Sequence, residues 1–293
     1  MLVTDAGDGT ASHPNKIDRY DPTNGQYLGS FASGYFGTPN GMKVSGFDVY
    51  VADQHSGFSK IDKFNWSTGM FEASYFNSSP YNFTGVETYG NSVIALDSGT
   101  GAGGAVAIWT FDATTGATLG SFSLPASSGP QRASVKNGYL YVGSSAWSPT
   151  RYTLNANGTV VAGSAFGLGL GNETALTTNT WGGVDYFNDS ANTGSPLALN
   201  RRLLSTGAVI SGVSIATSFT GLSFGHNGVL YGQTGNRVDR YDTNALFLGT
   251  VGSFNLTQTW NAKDIQVYAA PEPFSMAALG AGVLTLLRRK RRG

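Results

Sequence analysis

Asp5, Asp53 and Asp97 each close a short apolar segment: Leu2-Val3-Thr4-Asp5, Val49-Tyr50-Val51-Ala52-Asp53 and Val93-Ile94-Ala95-Leu96-Asp97. Carboxylates at one recurring point of a repeated unit can converge on a hard cation such as calcium, which takes oxygen ligands. They can equally cap the turn that leaves each strand. The corresponding places further on read Gly143-Ser144, Asn188-Asp189 and Gln233-Thr234, so no complete ring of carboxylates is present. His13 and His55 follow Asp5 and Asp53 closely and are two of three histidines. With those carboxylates they are candidates for an acid–base or metal pair, or else solvated loop residues. His226 belongs to a turn expected at the opposite face, so one site cannot use all three. Gly99–Gly104 has the glycine density of a phosphate loop but neither the following lysine nor a helix, and reads as a connection between strands. Trp147 and Trp181 fall in or near expected loops, where an indole either stacks on a sugar or packs at a rim. Cysteine is absent, which excludes thiol chemistry and disulfides.

The elements that must position these residues form an imperfect repeat. Lys16-Ile17-Asp18-Arg19-Tyr20-Asp21 runs through Thr23-Asn24-Gly25 to Tyr27-Leu28-Gly29-Ser30-Phe31. Copies begin at Lys60, Ile108, Arg151, Arg201 and Arg237. The turn glycines 25, 69, 116, 158 and 207 are 44, 47, 42 and 49 residues apart. A period of roughly 40–50 residues is that of a propeller blade. Glycine supplies the positive φ of a hairpin turn, and the Asp or Asn before it can bond the turn backbone. A second strand precedes each unit, as in Val49–Asp53, Val93–Asp97, Tyr139–Gly143 and Val229–Gly232, apolar on both faces as befits burial between neighbouring sheets. A weaker innermost strand, for example Gly41-Met42-Lys43-Val44, comes before that. The pattern predicts an all-β, six-bladed β-propeller of four-stranded blades over residues 1–270, with a seven-bladed ring or a β-sandwich as alternatives. Asp264–Tyr268 would supply the inner strand of the first blade and close the ring, removing the open sheet edge. The repeats resemble NHL- and YVTN-type propeller repeats. That resemblance implies a fold and no particular chemistry, since such propellers host enzymes and pure binding proteins alike.

Charged residues make up 12% of the chain, about half the usual share. The formal net charge is zero, but residues 288–292 hold five of the 18 basic side chains. The rest of the chain carries 13 basic against 18 acidic ones. A mildly acidic body argues against a nucleic-acid partner, because phosphate binding needs basic surface.

The C-terminus has another composition altogether. Pro271-Glu272-Pro273 precedes a 14-residue uncharged run, Phe274–Leu287, and then Arg288-Arg289-Lys290-Arg291-Arg292-Gly293. As a helix the run would span about 21 Å, short of the roughly 30 Å hydrocarbon core, so a short transmembrane helix would need snorkelling arginines or local thinning. The basic cluster would stay cytoplasmic, leaving the body outside the inner membrane. Pro271–Gly293 resembles the PEP-CTERM sorting signal of Gram-negative bacteria. The resemblance implies an exosortase as processing partner, an inner-membrane precursor, and a product at the cell surface or in the medium, in a setting of biofilm and exopolysaccharide. Met1-Leu2-Val3-Thr4-Asp5 has no secretory character, so an exported chain would have a start upstream of Met1. Two functional expectations follow: a non-catalytic binder of extracellular polysaccharide or protein, or a secreted propeller lyase or hydrolase using His13 or His55 beside Asp5 or Asp53.

Overall fold

The computed structural model describes all residues except 8–9, 56–57, 79–81, 100–104, 127, 145–149, 166–172, 179–183, 190–197, 204, 216–218, 226–227, 235–236, 254–261 and 269–293. The described part is built of strands. In chain order they are β1 (Leu2–Asp5), β2 (Lys16–Tyr20), β3 (Tyr27–Ser33), β4 (Pro39–Ser45), β5 (Asp48–His55), β6 (Phe58–Asn65), β7 (Phe71–Ser78), β8 (Phe83–Tyr89), β9 (Ser92–Asp97), β10 (Ala107–Asp112), β11 (Thr118–Ser123), β12 (Pro130–Lys136), β13 (Tyr139–Ser144), β14 (Thr150–Leu154), β15 (Val160–Ala165), β16 (Glu173–Thr178), β17 (Val184–Asp189), β18 (Ala198–Leu203), β19 (Val209–Ser214), β20 (Gly221–Phe224), β21 (Leu230–Thr234), β22 (Arg237–Tyr241), β23 (Phe247–Ser253) and β24 (Ala262–Gln266).

They form six four-stranded antiparallel sheets. Five are consecutive quartets from β4 to β23, and the sixth is β24-β1-β2-β3, which joins the two ends of the chain. We call this last one the first sheet and number the others along the chain. Leu2 pairs with Gln266 and Val3 with Ile265. The innermost strands touch in cyclic order, β24 to β4, β8, β12, β16, β20 and back to β24. The architecture is an all-β propeller. The predicted closing strand is present, though it ends at Gln266 and not at Tyr268. The expected transmembrane helix lies outside the described residues. Among the described residues no helix is long and apolar enough to cross a membrane.

The core lies in layers between sheets. One cluster joins Leu2, Ile17 and Phe31 of the first sheet to Met42, Val49 and Phe64 of the second. Another joins Tyr50, Ile61 and Tyr75 of the second to Phe83, Val93 and Phe111 of the third. This arrangement explains the second strands. β1 and β9 are buried at every residue because each face meets a neighbouring sheet.

The repeat glycines do two jobs. Gly25, Gly69, Gly116, Gly158 and Gly207 all have φ between 71° and 76°. Four of them also abut the preceding sheet. A Cβ on Gly25 would lie 2.6 Å from the Val251 carbonyl oxygen, and one on Gly69 would lie 2.0 Å from that of Phe31. On Gly116 it would meet the Tyr75 ring at 2.7 Å, and on Gly158 Ser92 Cβ at 3.0 Å. The turn glycine is therefore a point of contact between sheets as well as a bend. The sixth copy places Ala245 in the same left-handed region, at φ 63°. Asn137-Gly138, with φ 51° and 76°, makes the hairpin turn between β12 and β13 that this dipeptide favours.

Candidate functional site: the closed axis and the inter-sheet polar groups

Asp53 and Asp97 hold backbone that enters the ring. Asp53 accepts N–H groups from Gly37 (3.2 Å) and Thr38 (2.9 Å), just ahead of β4. Asp97 accepts from Asn82 (2.8 Å), ahead of β8, and from Gly99 (2.9 Å), which leaves β9. Turn capping thus describes half of what Asp97 does, and Asp53 additionally ties down backbone that precedes the innermost strand of its sheet. Burial, opposed by these N–H donors, raises the pKa of Asp97.

The cation expected between such carboxylates is supplied by the chain itself in two sheets. Lys16 Nζ lies 2.9 Å from Asp18 and 4.0 Å from Asp5. Lys60 Nζ lies 2.9 Å from Asp62 and 3.6 Å from Asp53. Register makes Arg237 and Asp239 the equivalents in the sixth sheet, and they pair at 2.8 Å. The inner Asp of this Lys/Arg-x-Asp unit also receives a hydroxyl from the outermost strand: Ser74 to Asp62 at 2.5 Å, Thr250 to Asp239 at 2.7 Å. Burial raises the pKa of Asp62 against the opposing pull of Ser74 and Lys60. The third, fourth and fifth sheets depart from the pattern, with Trp109, Thr150 and Asn200 where the first, second and sixth have the inner Asp. Among the described residues no three His, Asp or Glu side chains are placed to hold a metal ion. Asp5, Asp53 and Asp97, the calcium candidates, end the second strands of three successive sheets and do not form such a group.

His13 lies in the β1–β2 loop. Its backbone N–H meets the Thr10 carbonyl and hydroxyl oxygens, both at 3.2 Å, and its Nδ1 lies 3.3 Å from Ser12 Oγ. His55 was expected in a loop. It is instead the last residue of β5, paired with Phe58. His226, Trp147, Trp181 and Thr100–Gly104 lie outside the described residues, as do Pro271, Glu272, Pro273 and the basic residues Arg288–Arg292.

The axis carries a group of charges that the repeat does not announce. Strand register puts Asp264, Gly41, Gly85, Arg132 and Gly221 at one level of the innermost strands. The glycines leave room there: a Cβ on Gly221 would lie 2.7 Å from Asp264 Oδ1, and one on Gly41 2.6 Å from Gly85 Cα. Arg132 crosses this level. Its guanidinium donates to the carbonyls of Thr84 (2.6 Å), Gln131 (2.8 Å) and Lys263 (2.7 Å), and Nε lies 3.8 Å from Asp264 Oδ1. Asp264 accepts N–H groups from Met42 (2.8 Å) and Ile265 (2.9 Å). Two residues further along these strands, Lys43 pairs with Glu87 at 2.6 Å. Burial, eased by Arg132 and the two N–H donors, pushes Asp264 up to about 6. Burial also lowers the pKa of Arg132. A cavity of about 20 Å³, room for roughly one water molecule, lies beside these groups.

No family model matches the chain, and no curated protein matches it either. Solved structures do. A chain in the crystal structure of a nidogen/laminin complex is 14% identical, superposes with a TM-score of 0.66, and is matched over 90% of this chain and 97% of its own length. A chain of the mitotic checkpoint complex is 10% identical with a TM-score of 0.56, over 80% of this chain and 70% of that one. What is shared is the propeller fold. Identity this low carries the fold and nothing finer.

Proposed function

We propose that the chain is a non-catalytic, six-bladed propeller that binds a polymer or protein outside the cell. The observation that carries this reading is the closed axis. Among the described residues Arg132, Asp264, Lys43 and Glu87 pair with one another and with the surrounding backbone, and the cavity beside them is about 20 Å³. The bonds that hold His13 in its own loop point the same way. So does the kind of complex in which the similar nidogen/laminin chain was crystallised, since the fold there is found in a protein assembly. Delivery would come from Pro271–Gly293, acting as a PEP-CTERM-like signal: inner-membrane insertion through Phe274–Leu287, retention by Arg288–Arg292, then exosortase processing near Pro271-Glu272-Pro273.

Two measurements test the two halves. Purified chain is incubated with matrix polysaccharide from the native host, and co-sedimentation is compared with release of reducing ends. The reading expects retention without product. Product formation abolished by His13→Ala or His55→Ala would replace it with the lyase or hydrolase alternative. Intact-mass spectrometry of membrane, surface and medium fractions then compares wild type with Glu272→Ala. Loss of the 274–293 mass outside the membrane, blocked by the substitution, is expected. A full-length product in the membrane would reduce the tail to a plain anchor.

A further inference from the structure

A polar cleft of about 250 Å³ lies between the second and third sheets, where their hairpin turns meet. From the structure we infer that it is a binding site for a single neutral sugar ring, such as the end or a side branch of a glycan. The inference deepens the binding function proposed above and rests on it.

One wall comes from the second sheet. Lys63 Nζ is held between Asp48 and Glu72 at 3.1 Å each, and the Tyr50 hydroxyl donates to Asp48 at 3.2 Å. The other wall comes from the third sheet. The Thr114 hydroxyl donates to Asn91 Oδ1 at 3.3 Å, and Asn91 Nδ2 donates to Asp112 at 3.1 Å. Asp112 also accepts the backbone N–H of Thr114 (3.0 Å) and Thr115 (2.8 Å), which fixes the turn. Behind them, Tyr75 OH reaches across the sheet interface to the Ala113 carbonyl at 2.7 Å and locks the two walls together. The polar side chains are therefore oriented before any ligand arrives, which lowers the ordering cost of binding.

Size, charge and chemistry select the ligand. The space is below the roughly 300–1,000 Å³ of pockets that enclose drug-sized molecules. Within the lining Asp48 and Lys63 balance, while Glu72 on Lys63 and Asp112 on Asn91 add two negative charges beside it, which disfavours phosphate, sulfate and uronate groups. The lining offers carboxylate, amide and hydroxyl groups side by side, and sugar hydroxyls both donate and accept, so such a lining can satisfy them. Lys63 already occupies the carboxylates a ligand ammonium would seek.

The test is titration of the ¹⁵N-labelled full chain with methyl glucoside, methyl galactoside, glucuronate and butylammonium, followed by amide shifts. The expected result is a millimolar dissociation constant for a neutral glycoside, with shifts at Thr88–Ser92 and Ala113–Thr115. Asn91→Ala and Thr114→Val, both exposed positions, should each weaken binding about tenfold, the loss expected for a hydrogen bond or two. Thr23→Val, in the corresponding turn of the first sheet, should not. Absence of shifts with every glycoside, shifts indifferent to both variants, or tighter binding of glucuronate or butylammonium would overturn the site. If polysaccharide still co-sediments with Asn91→Ala at full strength, the cleft assignment fails while the binding function stands; if wild type retains no polymer or protein, both fall.

Discussion

Gly69→Ala tests whether the repeat glycine is a wedge between sheets as well as a bend. Gly69 has φ 71°, and an added Cβ would sit 2.0 Å from the Phe31 carbonyl oxygen of the preceding sheet. The backbone term alone is about 1–2 kcal/mol for an L-residue in the left-handed region, offset by about 0.4–1 kcal/mol from the stiffer unfolded chain. The contact adds an overpacking term of about 1–3 kcal/mol, because the partner is backbone and cannot swing aside. The sum is about 2–4 kcal/mol. For a domain of this size that is a fall in Tm of roughly 5–15 °C. Gly46→Ala supplies the reference: its φ is 61° and nothing lies within 4 Å of the added Cβ. It should lose about 1 kcal/mol, or roughly 2–4 °C. Scanning calorimetry and urea midpoints on both variants read the difference directly. If Gly69→Ala melts with Gly46→Ala, the inter-sheet contact contributes nothing and the glycine spacing reports turns alone.

Three further outcomes follow from the axis and the inter-sheet bonds. Asp264 has its folded pKa raised to about 6, so ionising it works against the folded state. That stabilising difference is complete below the unfolded value near 3.9 and is lost as pH rises through 6, on the order of 3 kcal/mol in all. Urea midpoints of Asp264→Asn should therefore vary less between pH 4.5 and 7.5 than those of wild type, and an unchanged slope would count against the assignment. Arg132→Met removes the ion-pair partner of Asp264 and the donor to three carbonyls, at a cost of about 3–5 kcal/mol; the double variant with Asp264→Asn should lose less than the sum of the two singles. Thr250→Val removes the 2.7 Å hydroxyl donor to buried Asp239 and should cost about 1–3 kcal/mol by chemical denaturation.

The fold was legible where one physical demand recurs. A left-handed turn every 42–49 residues requires glycine, and a strand squeezed between two sheets requires Val-Ile-Ala-Leu. Both leave marks that survive drift in every other position. The pairing of Leu2 with Gln266 could be anticipated because a chain opening on a second strand lacks an inner neighbour. The site was less legible. Arg132 and Asp264 belong to different sheets, 132 residues apart in sequence, and are the two charged members of a level otherwise set by Gly41, Gly85, Ala175 and Gly221. No local pattern links them. Asp53 misled for a related reason: its residue type and place fit a cap on the following turn, while its donors, Gly37 and Thr38, lie 15 or 16 residues earlier. Lys16 and Lys60 were visible at the head of two copies of the repeat, but the meaning of Lys-x-Asp appears only once Asp5 and Asp53 are seen beside them.

The same polar economy argues for where function can reside. In the first and second sheets the buried carboxylates are neutralised by a lysine two residues away, and the axis is neutralised by Arg132 and Lys43. Each inner charge is thus tied to holding sheets or strands together, and recruiting it for chemistry would leave a buried charge without its partner. A ring built this way has its free hydrogen-bonding capacity on the turns between sheets. There Asp48, Asn91 and Thr114 are oriented by neighbours yet remain accessible, and variation in them does not disturb the closed centre. That separation is why substitutions in the second–third cleft should change binding at constant Tm, whereas substitutions at Arg132 or Asp264 should change Tm first.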